Sequence, residues 1–164
     1  MDVGQFSANF AHGARANLYS VYIDDMPEKI KFLVKATSIP SVDVGVIEVP
    51  FMDKTIKIAG DLTFAEWNTT LMLDEDYAGR IQLEEWAQKI KNFNEVGGSN
   101  NVADYFRTAT VTQLSGDGVT ELRKYKIYNL FPQTVPTIDL SWESKDTISE
   151  YEVTWAYTYW TPVS

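Results

Sequence analysis

The sequence predicts a mainly β protein, an antiparallel sandwich or barrel with one α-helix packed on it. Three observations carry this. Short runs rich in β-branched and aromatic residues recur along the chain, turn-forming clusters separate them, and only one stretch has the 3.6-residue periodicity of an amphipathic helix.

Residues 18–23 and 30–36 are β-prone runs, and the cluster Asp24-Asp25-Met26-Pro27 between them suits a hairpin, with Ile39-Pro40 ending the second run. The next hairpin is 44–51 with 55–59. Ile47, Val49 and Phe51 alternate there with Val46, Glu48 and Pro50, and Ile56 and Ile58 alternate with Thr55 and Lys57. Pro50 has no N–H to give to a ladder and marks an edge. A second turn is expected at Ala59-Gly60-Asp61, after which Trp67, Thr69, Leu71 and Leu73 fall on one face of a strand.

The helix is expected over 76–92. Asp74, Glu75 and Asp76 offer a cap and first-turn negative charge, and Leu83, Trp86, Ala87 and Ile90 form one stripe. Past a loop at Gly97-Gly98-Ser99-Asn100, residues 105–114 and 119–130 read as a hairpin about Asp117-Gly118. A two-residue turn there sets Thr112 opposite Arg123, Val111 opposite Lys124, Thr110 opposite Tyr125 and Arg107 opposite Tyr128, with neither face cleanly apolar. The last expected hairpin pairs 137–143 with 148–160. Ile138, Leu140 and Trp142 then share a buried face with Tyr151, Val153, Trp155 and Tyr157, and Asp139, Glu143, Glu150 and Glu152 take the other face.

Composition narrows the function. The 164 residues, 45% of them hydrophobic, suit a single domain over 1–164 that buries roughly two-thirds of its unfolded surface, with a flexible N-terminal segment of about 1–16. Neither an apolar run of about 18 residues nor a secretory leader pattern is seen, so a soluble chain made in the cytoplasm is expected. The absence of cysteine excludes disulfides, thiolate nucleophiles and Cys-rich zinc sites. A formal charge of −9 disfavours tight binding to phosphate backbones.

No catalytic or cofactor constellation emerges. His12, the one histidine, sits in a polar segment without a second ligand and reads as a surface or packing residue. The carboxylates of Asp139, Glu143, Glu150 and Glu152 could in principle flank a glycosidic bond, but acids on a solvated strand face are the commoner arrangement. Trp155, Tyr157, Tyr159 and Trp160 could form a sugar platform, though alternation favours Trp155 and Tyr157 in the core and Trp160 at a C-terminal contact. Arg123, Lys124 and Lys126 read as partners for nearby carboxylates. Asn68-Thr69-Thr70 matches a glycosylation acceptor without a leader to make it meaningful, and Gly97-Gly98 lacks phosphate-loop context.

The succession FLVKATSIP (32–40), VIEVPFMDKTIKIAGDLTFAEWNTTLMLDED (46–76), the amphipathic helix, LFPQTVPTIDLSWES (130–144) and ISEYEVTWAYTYW (148–160) resembles the tail tube protein family of contractile-tailed, myovirus-type bacteriophages. The strongest piece runs from Val46 to Asp76. The resemblance implies the phage tail tube (Hcp-like) fold and a structural, non-enzymatic virion protein: hexameric rings of this chain stacked into a tube inside a sheath, through which DNA passes. It implies a baseplate initiator and a tail terminator at the tube ends, with tape measure protein and transiently DNA within, no cofactor and no membrane insertion. In such tubes a sheet from each subunit lines the lumen and an extended hairpin reaches a neighbouring ring. Val49, Phe51, Met52, Lys54, Ile56 and Lys57 are the candidate hairpin residues, and Asp139, Glu143, Glu150 and Glu152 are candidates for the lumen or the outer surface. Related tubes occur in contractile bacteriocins and type VI secretion systems. A carbohydrate-binding β-sandwich using the C-terminal aromatics is the alternative of another class.

Overall fold

The computed structural model describes Gln5 and residues 13–92, 97–98, 101–145 and 147–163. His12 and most of the 1–16 segment lie outside the described residues. The elements are β1 (Tyr19–Ile23), α1 (Ile30–Leu33), β2 (Val34–Thr37), β3 (Val42–Phe51), β4 (Lys54–Phe64), β5 (Trp67–Met72), α2 (Ala78–Ile90), a 3-10 turn (Val102–Asp104), β6 (Arg107–Leu114), β7 (Glu121–Thr134), β8 (Glu150–Ala156) and β9 (Tyr159–Val163). The fold class is as the sequence predicts, mainly β with every pairing antiparallel and α2 packed on the sheet.

Seven strands form one sheet in the order β1-β6-β7-β8-β5-β2, with β9 also on β7; β3 and β4 form a separate two-stranded ribbon. The path does not close into a barrel, since no ladder joins β1 to β2 among the described residues. Instead the Tyr19 hydroxyl donates across the gap to the carbonyls of Val34, at 3.2 Å, and Lys35. The fourteen-residue β7 belongs to both halves of the sheet: residues 121–130 pair with β6 and 131–134 with β8. Just before the change of partner, Asn129 has a φ of 57° in the left-handed region, one that asparagine tolerates better than most residues. Its side chain donates to the Thr158 hydroxyl at 3.2 Å, where β8 turns into β9.

The core rests on three indoles. Trp155 lies 6.1 Å from Trp67 and 5.6 Å from Trp86, and all three rings are buried. Each N–H is satisfied: Trp155 donates to the Thr69 hydroxyl at 2.8 Å, Trp67 to the Ser38 carbonyl at 2.9 Å and Trp86 to the Tyr105 carbonyl at 2.7 Å. Leaving any of these donors bare would cost far more than the net worth of one hydrogen bond. Trp67, Thr69 and Leu71 are the buried positions of β5, so its period-two reading holds. Leu83 and Trp86 are the buried residues of the α2 stripe, with Ala87 and Ile90 half-buried at its margin.

Several expectations are corrected. Residues 30–36 are not a strand paired with 18–23. The chain turns at Pro27, whose carbonyl accepts from Ile30 N at 2.9 Å, and forms the short α1 before β2. β1 pairs with β6 and β2 with β5. What overrides the β propensity of this run is burial of Met26 and Ile30 in the core, with Ile30 set against α2 where Gly79 leaves the room: a Cβ there would meet Ile30 Cδ1 at 2.7 Å. The acids before α2 do not cap it. Tyr77 occupies the cap with no side-chain bond, and Lys29 instead pairs with Asp74 and, at 2.8 Å, with Asp76. Its hydrogen bonds hold the Asp74 carboxyl below the usual range.

The Asp117 turn is longer than two residues. Ser115 N bonds Thr120 O at 2.7 Å, and the Asp117 carboxylate accepts from Val119 N at 3.0 Å, Thr120 N at 2.9 Å and the Thr120 hydroxyl. A bulge between Gln113 and Leu114, beside this loop, moves the register to Thr112 opposite Lys124, Val111 opposite Tyr125 and Thr110 opposite Lys126, and a second between Arg107 and Ala109 sets Arg107 opposite Leu130. One face of this pair is therefore core, with Ala109, Val111, Ile127 and Leu130 buried.

Residues 137–143 form no strand. Leu140 is 81% and Trp142 100% exposed, and only Ile138 of the three packs against the core. The partners of β8 are β5 and β7.

Candidate assembly surfaces

The β3–β4 ribbon leaves the sheet as an arm. The ten residues of β3 at about 3.3 Å each carry it roughly 30 Å from its root. All ten residues of β3 are exposed, and so are all of β4 except Gly60 and Phe64. Its root is fixed by aromatic rings: Phe64 meets Tyr157 edge-on at 6.2 Å, and the Trp160 N–H donates to the Ser41 carbonyl at 3.2 Å. The tip turns through Met52 and Asp53, with Met52 at φ 53° and 89% exposed.

The register brings the predicted arm residues together. Val49 is opposite Ile56, Ile47 opposite Ile58 and Phe51 opposite Lys54, so one face of the distal half is apolar. On the reverse face Glu48 is opposite Lys57, with an ion pair at 3.6 Å, and Pro50 is opposite Thr55. The turn expected at Ala59-Gly60-Asp61 is instead a bulge inside a continuous β4: the register slips between Val44 and Val46, where Gly45 faces Gly60 and Asp61. Glycine-aspartate signals a turn, but pairing on both sides absorbs one extra residue at such a site.

An exposed apolar ribbon with two free edges is a standing hazard in a monomer, open to pairing with any other chain. Its own sheet does not cover it.

The four predicted acidic residues do not share a face. Glu150 and Glu152 are exposed on β8, opposite Met72 and Thr70 of β5, and Glu150 pairs with Lys35. Asp139 and Glu143 belong to the irregular segment between β7 and β8. The C-terminal aromatics form no platform: Trp155 is in the core, Tyr157 is packed on Phe64, Trp160 meets Tyr125 edge-on and Tyr159 stacks on Tyr128. Lys124 pairs with Glu121 at 2.8 Å, as expected of the basic spot. Among the described residues no group of His, Asp and Glu is arranged to hold a metal, and no helix is long and apolar enough to cross a membrane.

Sequence reasoning missed one contact that ties β6, α2 and the turn after β1 together. Arg107 lies over the Trp86 ring at 4.1 Å and 3.8 Å from Asp25. Burial pushes its guanidinium pKa down while Asp25 and Asp24 push it back. No local spacing signals a contact that joins β6, α2 and the β1 turn.

A core built on three hydrogen-bonded indoles carries a long uncovered arm and, among the described residues, no group arranged to hold a metal, which is the form of a structural subunit. The comparisons with known proteins agree. The phage tail tube protein family matches residues 3–162. The chain is 37% identical over 149 residues, 90% of each chain, to tail tube protein gp19 of Enterobacteria phage T4 and to that of phage T6. Among solved structures, the PVC sheath/tube terminator of an extracellular contractile injection system superposes with TM-score 0.69 at 15% identity, covering 93% of this chain and 98% of that one. The sheath-tube complex of the same kind of system gives 0.64 at 17%, covering 100% and 99%. At such identities these two matches speak to the fold alone. The chain belongs to the phage tail tube protein family, and it is a structural virion protein, not an enzyme.

Proposed function

We propose that copies of this chain form hexameric rings stacked into the inner tube of a contractile tail, through which phage DNA passes into the host. The observation that carries this reading is the β3–β4 arm, exposed along its whole length, apolar on its distal face and anchored at its root by Tyr157 and Trp160. In the assembled tube the arm packs on other copies, which removes its apolar face from water and covers its free edges. A sheath protein surrounds the tube, a baseplate initiator and a terminator close its ends, and tape measure protein and then DNA occupy the lumen; assembly takes place in the host cytoplasm. The curated relatives at 37% identity are phage proteins, which favours a tail over a bacteriocin or secretion tube.

The exposed face of β8, with Glu150 and Glu152, is the candidate lumen wall. A ring of six copies at −9 each would carry about −54, so phosphate passing through is repelled rather than held.

Negative-stain electron microscopy of the concentrated protein tests the reading directly: rings or tubes are expected. Val49→Asp places a carboxylate on the distal apolar face opposite Ile56, with no cation directly across from it, and it should abolish tubes while leaving the far-ultraviolet circular dichroism unchanged. Tubes from this variant would remove the arm from the contact.

A further inference from the structure

The apolar surface of the arm changes sides halfway along. On β3 the apolar residues of the root half are Val42, Val44 and Val46, whereas those of the distal half are Ile47, Val49 and Phe51, so the pattern breaks its alternation between Val46 and Ile47. Successive side chains on a strand point to opposite faces. On β4 the apolar residues instead keep one unbroken alternation, Ile56, Ile58, Gly60, Leu62 and Phe64. A regular ribbon could not satisfy both strands. The bulge reconciles them: β4 carries one extra residue there, so Ile56 and Ile58 lie opposite Val49 and Ile47, while Leu62 and Phe64 lie opposite Val44 and Val42. Root and distal halves therefore each present a paired apolar surface, on opposite faces of the ribbon. The faces behind them are polar, with Asp43 opposite Thr63 at the root and Glu48 opposite Lys57 beyond the bulge.

β3 breaks its apolar alternation at the point where β4 carries its extra residue, and because the two irregularities compensate, the reversal is a built feature. The glycines at the crossing serve it, because the backbones approach closely. A Cβ on Gly60 would meet the carbonyl carbon and oxygen of Gly45 at 3.2 Å, and one on Gly45 would meet Asp61 O at 3.2 Å.

Resting on the tube reading, we infer that each arm is held between two different copies of this chain, one covering the root face (Val44, Leu62) and another covering the distal face (Val49, Ile56). A single flat partner covers one face of a ribbon and leaves the other apolar half in water. The occupants are copies of the chain because the protein belongs to a family whose members build a tube, and neighbouring copies are what a tube places on both sides of a projecting arm. Each arm then ties three subunits together.

The test places a photo-crosslinking phenylalanine analogue at Ile56, at Leu62, or at both, in tracer subunits co-assembled with a large excess of unlabelled chain. Either single label should yield covalent dimers after irradiation of tubes, and the double label should yield a covalent trimer. A double label that gives only doubly linked dimers means one neighbour covers both faces, which overturns the inference and leaves the tube reading intact. Failure of the unlabelled chain to form rings or tubes overturns both. Charge substitution gives a check independent of labelling: Ile56→Asp and Leu62→Asp should each abolish tubes with the subunit's melting temperature unchanged. Normal tubes from Leu62→Asp would free the root face of any partner and overturn the inference.

Discussion

Replacing Trp86 by alanine should unfold a large share of the protein's stability margin. The ring is 1% exposed, 5.6 Å from Trp155, beneath the Arg107 guanidinium and bonded to the Tyr105 carbonyl. Burying a tryptophan and losing it to alanine costs about 3 to 5 kcal/mol, through lost transfer energy and the cavity left behind. The orphaned carbonyl of Tyr105 adds about 1 kcal/mol, which places the expected loss near the top of that range, at about 4 to 5 kcal/mol. For 164 residues, an unfolding entropy of about 2.1 cal/mol/K per residue gives about 0.34 kcal/mol/K, so the melting temperature should fall by about 12 to 15 °C. Circular dichroism melts of the unassembled subunit measure this. Trp86→Phe keeps most of the ring and forfeits the N–H, and should lose roughly 2 kcal/mol or about 6 °C. A shift below about 3 °C for the alanine variant would refute the packing of α2 against the sheet.

Thr69→Val removes the acceptor of the buried Trp155 N–H while conserving shape, and urea titration should show a loss of about 1 to 3 kcal/mol that Thr69→Ser largely restores. Asp117 is held at about 2, below its ordinary 3.8, by the Thr120 hydroxyl and the two backbone N–H groups. Because the folded value lies below the unfolded one, the contribution of this loop to stability is complete above about 4 and lost as pH falls through about 2. Carboxyl-detected NMR should find that low midpoint, and Thr120→Val should raise it. If β8 lines the lumen as proposed, replacing Glu150 and Glu152 together by lysine changes the wall by +4 per subunit, about +24 per ring of six, so particles should assemble but eject DNA slowly at low salt. Screening over about 8 Å at 0.15 M should partly restore ejection, whereas normal ejection at both salts would move these residues to the sheath side.

What the sequence made legible was local and periodic. Trp67, Thr69 and Leu71 alternate because one face of β5 meets the core, and the distal arm reads correctly because its pairing is decided by a two-residue turn of its own. Leu83 and Trp86 fall on one helical stripe for the same reason. The misreadings occur where a distant element decides the outcome. Residues 30–33 have strand propensity, yet Ile30 is drawn onto Gly79 of α2 and the chain winds. Asp74 and Asp76 look like caps, but the ammonium of Lys29 is nearer and takes them. Leu140 and Trp142 alternate like a buried strand, while β8 already has β5 and β7 on its two edges and leaves no edge for 137–143 to join. The register about Asp117 slipped because the carboxylate gathers three donors, and a six-residue loop accommodates that where a two-residue turn does not. Alternation shows Ile47, Val49, Phe51, Ile56 and Ile58 on the arm's strands, but not the reversal, since that depends on the pairing of β4 with β3 across the bulge.

The sharing of β7 between both halves of the sheet bears on the order of events during synthesis. Thr69 of β5 finds its bond to Trp155 of β8 across 86 residues, and β5 has β8 rather than β6 or β7 beside it. Pairings that span such distances form late and make folding slow. The arm, by contrast, closes on itself through a loop of two residues, on the microsecond scale of an isolated hairpin. A ribosome therefore delivers the most adhesive part of the molecule well before the strands that complete the sheet, and on a heavily translated message many such half-made chains stand close together. Nascent chains bearing finished arms and unfinished sheets are the species that a chaperone must shield, and slowing translation between β5 and β8 should lengthen the interval in which they aggregate.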